Sequence, residues 1–183
     1  LEINSEINFE PVILPKKTIY QLISLLEQDS KLIKISNNKS KIKFETSDGV
    51  LISKVIDGRF PDYTKVIPRE NDKTLKIKLN DFKNSIERVT TVSSDRKEGL
   101  KMAISKESLQ LSVSSPNSGE GIETMNVNFN SNDMNISFNG RYLIDITSQI
   151  ENDFIVITLK DGGSPALIKD LSDKNSFHVL MPM

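Results

Sequence analysis

Few side chains in this sequence could carry out catalysis. Two carboxylates, Asp57 and Asp62, stand close enough in sequence to act as a general acid and a general base. The single histidine, His178, lies in an alternating apolar stretch, where a structural role is favoured over a catalytic one. The sequence has no nucleophile elbow, P-loop or dinucleotide-binding glycine motif. We therefore predict no catalytic residue and no enzymatic activity, and turnover that is lost on mutating Asp57 or His178 would overturn this prediction.

The composition excludes several other kinds of site. With no cysteine, the chain has neither disulfides nor thiolate chemistry, and with one histidine it has no imidazole cluster for a metal. We predict no metal and no cofactor. No apolar run approaches the roughly 20 residues that cross a bilayer, and no signal-peptide pattern opens the chain, so a cytoplasmic location is expected. The 183 residues allow one large domain or two small ones.

The charged residues are distributed unevenly, although the net charge is only −1. The region 16–43 contains seven lysines against Glu27 and Asp29, whereas the region 120–161 contains seven acids against Arg141 and Lys160. The net charge argues against a simple basic nucleic-acid binder. The uneven distribution is compatible with a polarised surface and equally with solvated faces of unequal sign.

Three stretches have the periodicity of amphipathic helices. Apolar side chains recur at intervals of three and four residues, so each helix is predicted to cover a core on one face. Pro15 precedes the first helix, and Asn80 and Asn139 are the predicted N-caps of the second and third. The apolar stripes are Ile19, Leu22, Ile23 and Leu26 in the first helix, Phe82, Ile86 and Val89 in the second, and Leu143, Ile146 and Ile150 in the third.

The other segments alternate between apolar and polar residues, which is typical of antiparallel strands with one wet face. Turn signals such as Asp48-Gly49 and Asp161-Gly162-Gly163 separate them. In order, the elements make one β-α-β-β-β unit three times, with helix starts near 16, 80 and 140. The strands are predicted at 12–14, 32–36, 41–46 and 50–56, then at 75–78, 100–105, 108–114 and 123–129, and finally at 134–137, 154–159, 165–169 and 177–181.

The repeat predicts how the chain is organised into domains. One such unit cannot bury its apolar helix face alone, so the units are expected to pair. Three units make one pair and one left over. The unpaired unit is the first, residues 1–68, and its partner is expected upstream of Leu1.

Three motifs, in order along the chain, carry a resemblance to a known family. The first is the stretch SKVIDGRFPDYTKVIP at 53–68, the second is Phe138-Asn139 followed by Tyr142-Leu143, and the third is the tail HVLMPM at 178–183. They resemble, at the family's spacing, the segment joining the second and third domains, the start of the last helix and the closing strand of the bacterial DNA polymerase III beta sliding clamp. The resemblance spans nearly the whole chain.

The resemblance implies an α+β fold, the DNA clamp or processivity fold, with antiparallel sheets outside and helices on the inner face. Residues 1–68 would be the C-terminal half of the central clamp domain, and residues 69–183 the C-terminal clamp domain. The implied function is that of a DNA polymerase processivity factor in DNA replication. Such a homodimeric ring encircles double-stranded DNA irrespective of sequence and binds the replicative polymerase, the clamp loader and repair polymerases through their short linear motifs.

The resemblance also implies three sets of functional residues. The partner-peptide groove would contain Pro61, Lys65, Val66, Asn139, Tyr142, Pro165, Val179, Leu180, Met181, Pro182 and Met183. The DNA-facing cations would be Lys16, Lys17, Lys83, Arg88 and Arg141. The ring interface would contain Thr91, Val92, Glu120 and Glu123.

Several departures from the family pattern affect these expectations. Lys97 stands where a larger apolar residue can border the groove, and the first part of the central domain, which gives the family's groove its opposite wall, is absent. The chain stops at Met183 without the family's usual basic and apolar ending, so one rim of the groove is expected to be incomplete. The first clamp domain is absent from the sequence, so this chain alone is not expected to close a ring. The alternative reading of the β-rich pattern is a scaffold or interaction module that does not act on DNA. It does not explain the helix that occurs three times or the FPDY and MPM motifs.

Overall fold

The structure is a computed structural model that describes residues 11–26, 32–38, 40–92, 99–173 and 176–183. The chain divides into two compact units, Leu1–Pro61 and Asp62–Met183. The compact units divide between Pro61 and Asp62, a few residues before the domain boundary predicted after Pro68. That domain boundary remains a prediction.

The first unit has one helix and a three-stranded antiparallel sheet. Its described elements are α1 (Lys16–Leu26), β1 (Lys34–Asn38), β2 (Lys41–Glu45) and β3 (Val50–Lys54), with the strands in the order β1-β2-β3. Thr18 of α1 is hydrogen-bonded to Ser53 of β3, with 2.6 Å between the hydroxyl oxygens. The strand predicted at 12–14 is wrong, because only an isolated bridge between Ile13 and Ile56 forms there.

The apolar stripe predicted for α1 is largely exposed within this unit. Ile23 is 49% exposed, Ile19 and Leu26 are exposed as well, and the only buried residue of the helix is Thr18. The prediction that the helix covers a core is therefore wrong for α1 in the described part of the unit. The reason is that three five-residue strands offer too little apolar surface for a helix to pack on. That a further unit covers this stripe stays a prediction.

The second unit contains two helices and two antiparallel sheets. A 3₁₀ turn at Tyr63–Lys65 opens it. Its other elements are β4 (Lys73–Lys78), α2 (Leu79–Thr90), β5 (Gly99–Ile104), β6 (Ser108–Ser115), β7 (Gly119–Asn126), β8 (Asn128–Phe129), β9 (Met134–Asn139), α3 (Gly140–Thr147), β10 (Phe154–Leu159), β11 (Ala166–Asp170) and β12 (Phe177–Leu180). The architecture is α+β, and the β-α-β-β-β order of the two later repeats is confirmed.

Each of these two repeats gives its first strand to the sheet of the other. The sheet orders are β12-β11-β10-β4-β8 and β7-β6-β5-β9. Strand β4 thus pairs with β10, placing Leu75 opposite Ile157, and β9 pairs with β5, placing Met102 opposite Ile136. Because neither sheet is complete without a strand from the other repeat, the two repeats form one folding unit with one core.

Both helices of this unit bury one face in the shared core and pack against each other. Helix α2 buries Phe82, Ile86 and Val89, as predicted. At the start of α3, a Cβ on Gly140 would lie 2.8 Å from Thr90 Cγ2, so a residue without a side chain allows the two helices to approach closely.

Of the two predicted N-cap residues, one is confirmed and the other is wrong. Asn139 is confirmed as the N-cap of α3, because its side-chain oxygen accepts a hydrogen bond from the Arg141 N–H at 3.0 Å. Asn80 is wrong as the N-cap of α2, because the helix begins at Leu79, straight from β4, with Lys78 at the cap position. The Leu79 N–H is satisfied instead by the backbone carbonyl of Asp153 at 2.8 Å, so no side-chain cap is needed for that group.

Candidate functional site

An open groove lies between helix α3 and strand β12 in the second unit. Its volume is about 400 Å³, and its surface is largely apolar. The lining residues are Tyr142, Asp145, Ile146, His178, Val179, Leu180 and Met181. One wall of the groove is therefore helical and the other is an extended chain.

The helical wall is positioned by the start of α3. Asn139 caps the helix, and the buried Leu143 fixes its inner face in the core. Tyr142, Asp145 and Ile146 follow at intervals of three and four residues, so they share one side of the helix and lie along the groove. Tyr142 is 56% exposed, which leaves its ring available to a ligand.

The extended wall is the edge strand β12 and the residues that follow it. Strand β12 pairs only with β11 in its sheet, with Val179 opposite Leu167. Leu180 is buried and secures the strand, whereas Met181 is 58% exposed. The Met183 N–H donates to the Ser137 carbonyl of β9 at 2.9 Å, so the residues that follow β12 connect the two sheets. This hydrogen bond anchors the backbone two residues after Met181.

The structure brings four of the predicted groove residues together, namely Tyr142, Val179, Leu180 and Met181. The other predicted groove residues of this unit, which do not line the groove described here, are Lys65, Val66, Asn139, Pro165, Pro182 and Met183. Pro61 belongs to the first unit. The Pro165 carbonyl accepts a hydrogen bond from the Asn71 side chain at 3.0 Å, which fixes the approach to β11.

Around Pro61, the motif at 57–63 supplies local turns. Gly58 has a φ of +152°, a conformation that favours glycine. Asp62 caps the 3₁₀ turn, since its carboxylate accepts from the Thr64 N–H at 3.2 Å and from the Thr64 hydroxyl at 2.6 Å. Both aromatic residues of the motif are exposed, Phe60 at 70% and Tyr63 at 60%. Within the described residues this motif therefore forms turns and presents its rings to solvent.

Three groove residues were not predicted: Asp145, Ile146 and His178. Two signals in the sequence could have identified them. Asp145 and Ile146 lie three and four residues after Tyr142 on a predicted helix, which places them on the same side. His178 stands two residues before Leu180, on the same face of a predicted strand.

Apart from the apolar groove, a cluster of polar side chains joins α2 to β7. The Ser85 hydroxyl donates to a Glu123 carboxylate oxygen at 2.7 Å, and the Arg88 guanidinium donates to both carboxylate oxygens, through Nη2 at 2.6 Å and through Nε. Arg88 was predicted to face DNA and Glu123 to lie in a ring interface. The structure pairs them with each other, so both predicted contacts would compete with this ion pair.

The ion pair predicts a pH effect on stability. Arg88, and then Ser85, lower the pKa of Glu123 from its ordinary 4.5 to about 2. A carboxyl whose pKa is lower in the folded state stabilises the fold above its unfolded pKa, and this stabilisation is lost as pH falls toward the folded pKa. In urea titrations between about pH 6 and pH 2.5, Glu123→Gln should therefore be less stable than wild type at the upper end, with the difference shrinking as pH falls.

The matched control for this prediction is Glu120→Gln, which changes an exposed carboxylate on the same strand. Its stability difference from wild type should stay small at every pH. A Glu123→Gln difference that is constant with pH, or equal to that of Glu120→Gln, would contradict the assignment.

The other predicted DNA-facing cations lie on the three helices. Lys16 and Lys17 are exposed on α1, where the Lys16 ammonium lies 5.5 Å from the centre of the Tyr20 ring. Lys83 is half-buried on α2, and Arg141 is exposed on α3. Within the second unit, Lys83 and Arg141 thus belong to neighbouring helices.

The predicted ring-interface residues lie where α2 ends and along β7, an edge strand of its sheet. The Thr91 hydroxyl donates to the Arg88 carbonyl at 2.7 Å, and Val92 packs partly on the core. A Cβ on Gly121 would lie 3.0 Å from the Val89 carbonyl, so β7 runs close against the end of α2. Glu120 is exposed on the same strand.

Neither a metal site nor a membrane-spanning helix is found in the described ranges. No group of three or more His, Cys, Asp or Glu side chains there could hold a metal ion. Among the helices that the structure describes, none has the length and apolar character to cross a membrane.

Comparisons with known proteins match both units. Residues 64–183 match the family model of the DNA polymerase III beta subunit, C-terminal domain, and residues 1–62 match that of its central domain. A beta sliding clamp of Caulobacter vibrioides is 35% identical over 172 residues, covering 94% of this chain and 46% of the relative. The chain thus spans about half the length of the curated relatives it matches.

Solved structures show the same likeness. A sliding clamp of Bartonella birtlesii bound to griselimycin has a TM-score of 0.92 at 37% identity, covering 96% of this chain and 47% of that one. A pol III beta of Caulobacter crescentus has a TM-score of 0.92 at 34% identity, covering 96% and 48%. The fold is therefore that of the sliding clamps. The chain belongs to the DNA polymerase III beta subunit family.

Proposed function

We propose that this chain is part of a DNA polymerase processivity factor, a sliding clamp without catalytic activity of its own. The complete protein would form a homodimeric ring around double-stranded DNA in the cytoplasm and hold the replicative polymerase on it. Family membership over both units supports this proposal. The observation that carries it is the groove between α3 and β12, whose apolar walls suit a short apolar segment of a partner protein.

The chemistry of the groove fits exchangeable binding of several partners. The Met181 side chain is flexible and polarizable, so it adapts to ligands of different shape. Burying each Leu- or Phe-sized anchor contributes roughly 1.5–3 kcal/mol. After the cost of ordering the peptide, a dissociation constant near the micromolar level is expected, which corresponds to about 8 kcal/mol. The clamp loader and repair polymerases would bind the same groove through similar segments.

A direct binding measurement tests this proposal. A labelled peptide of the type Gln-Leu-X-Leu-Phe should bind the 183-residue chain with a dissociation constant on the order of micromolar in fluorescence polarization. The matched control peptide has alanine in place of its final Leu-Phe pair and should bind at least roughly tenfold more weakly, since both anchors are lost. Equal binding of the two peptides, or no binding of either, would contradict the proposal.

DNA contact is proposed to involve phosphates and to be independent of sequence. Log affinity falls as log salt concentration rises, and each lost phosphate contact reduces the magnitude of this negative slope by about 0.9. Lys83→Gln should reduce the magnitude of the slope by about this amount for a duplex oligonucleotide in fluorescence anisotropy. Arg88→Gln should change it much less, because the guanidinium is already paired with Glu123. A larger change for Arg88→Gln than for Lys83→Gln would contradict this assignment of the DNA-facing surface.

A further inference from the structure

The described residues that line the groove between α3 and β12 include one carboxylate among largely apolar side chains. Asp145 carries this carboxylate; the described lining has no lysine or arginine, and its imidazole is that of His178. Its neighbours across and along the groove include Ile146, Val179 and Leu180. A ligand that fills the groove must therefore place some part of itself beside this carboxylate.

Asp145 has no cation of its own in the described part of the chain. The ion pairs found there do not include it, even though Arg141 lies one helical turn earlier on α3. The hydrogen bond that the structure shows at this residue involves its backbone carbonyl, which accepts from the Ser148 hydroxyl at 2.7 Å. The carboxylate is thus available to an external donor.

Covering this carboxylate with an apolar ligand would be unfavourable. A charged group that loses water without gaining a partner raises the free energy of the complex. A ligand that brings a cation to the same place avoids this cost and gains a charge-assisted hydrogen bond, which apolar surroundings strengthen. An acidic ligand residue at that place would be repelled. The groove can therefore discriminate between partners by charge as well as by their apolar anchors.

We propose that Asp145 is a specificity-determining residue, which makes the groove select partner segments with a lysine or arginine next to the apolar anchors. This inference rests on the proposed function, since it concerns the same groove. It adds a charge rule to the apolar one: of two segments with identical anchors, the one with a flanking basic residue binds more tightly.

Three labelled peptides test this rule on the 183-residue chain. They share the anchors of the Gln-Leu-X-Leu-Phe type and differ only in the flanking residues on both sides, which are Lys, Gln or Glu. In fluorescence polarization at about 50 mM salt, the Lys peptide should bind wild type roughly three- to tenfold more tightly than the Glu peptide, with the Gln peptide between them. The ratio should shrink at about 500 mM salt, where exposed charges are screened.

Matched variants locate the source of the preference. Asp145→Asn should bring the Lys-to-Glu ratio close to one while the Gln peptide still binds. Asp133→Asn removes an exposed carboxylate separated from α3 by the length of β9, and it should leave the ratio unchanged. Equal affinity of wild type for all three peptides, or equal effects of the two variants, would overturn the charge rule and leave the proposed function standing. A chain that binds none of the peptides overturns both.

Discussion

Replacing Phe82 with alanine is expected to lower the free energy of unfolding of the second unit by about 3–5 kcal/mol. Phe82 is fully buried on α2, and it belongs to the cluster that joins both sheets and both helices. Removing its ring loses the transfer free energy of the phenyl group and leaves a cavity that the surrounding strands cannot fill. Because a domain is stable by only about 5–15 kcal/mol, the loss is a large share of the total.

Urea denaturation followed by circular dichroism measures this effect as a lower midpoint. Phe154→Ala is the matched control, since Phe154 is 39% exposed on the same unit, and it should cost about 1 kcal/mol. If Phe82→Ala does not fold, Phe82→Leu gives a milder variant, expected to cost about 1 kcal/mol or slightly more. Equal costs for Phe82→Ala and Phe154→Ala would contradict the placement of the core.

The sequence was sufficient to predict elements whose pattern is local. Phe82, Ile86 and Val89 repeat at helical spacing, and all three are buried on α2 as expected. Strand β10 begins and ends at the predicted residues 154 and 159, because its alternation is regular and turns border it. The β-α-β-β-β order of the two later repeats followed from the order of these elements alone.

Features that depend on distant partners could not be predicted in this way. Asn80 is a good capping residue, yet α2 begins at Leu79 because a carbonyl of a distant loop, Asp153, satisfies that N–H. The stripe on α1 has the same periodicity as the one on α2, but the first unit does not bury it. Likewise, the exchange of β4 and β9 between sheets depends on pairing across the repeats.

The candidate site likewise contains residues that a local sequence pattern indicates and residues that depend on distant partners. Tyr142 and the groove residues Val179, Leu180 and Met181 could be selected from family motifs, since each motif is continuous in sequence. The pairing of Arg88 with Glu123 joins a helix to a strand more than thirty residues later, and no local pattern marks it. Asp145 lies outside the three motifs, at a helical position three residues after Tyr142, although it supplies the carboxylate of the groove.

Replacing Met181 with aspartate is expected to weaken peptide binding by roughly 10- to 100-fold, because the ligand loses an apolar contact worth about 1.5–3 kcal/mol. Met181 lines the groove and is 58% exposed, so the change should leave the fold intact. Fluorescence polarization with the Gln-Leu-X-Leu-Phe peptide measures the loss, and circular dichroism checks the fold.

Ile122→Asp is the matched control for this variant, since Ile122 is a similarly exposed apolar residue on β7 and does not line the groove. Its affinity for the peptide should equal that of wild type. Tyr142→Ala, on the opposite wall, should weaken binding in the same direction as Met181→Asp. The two walls act together only if a ligand spans them, so a loss at Met181 without any loss at Tyr142 would place the ligand on the strand alone. If Met181→Asp binds the peptide with wild-type affinity, the peptide does not bind in this groove.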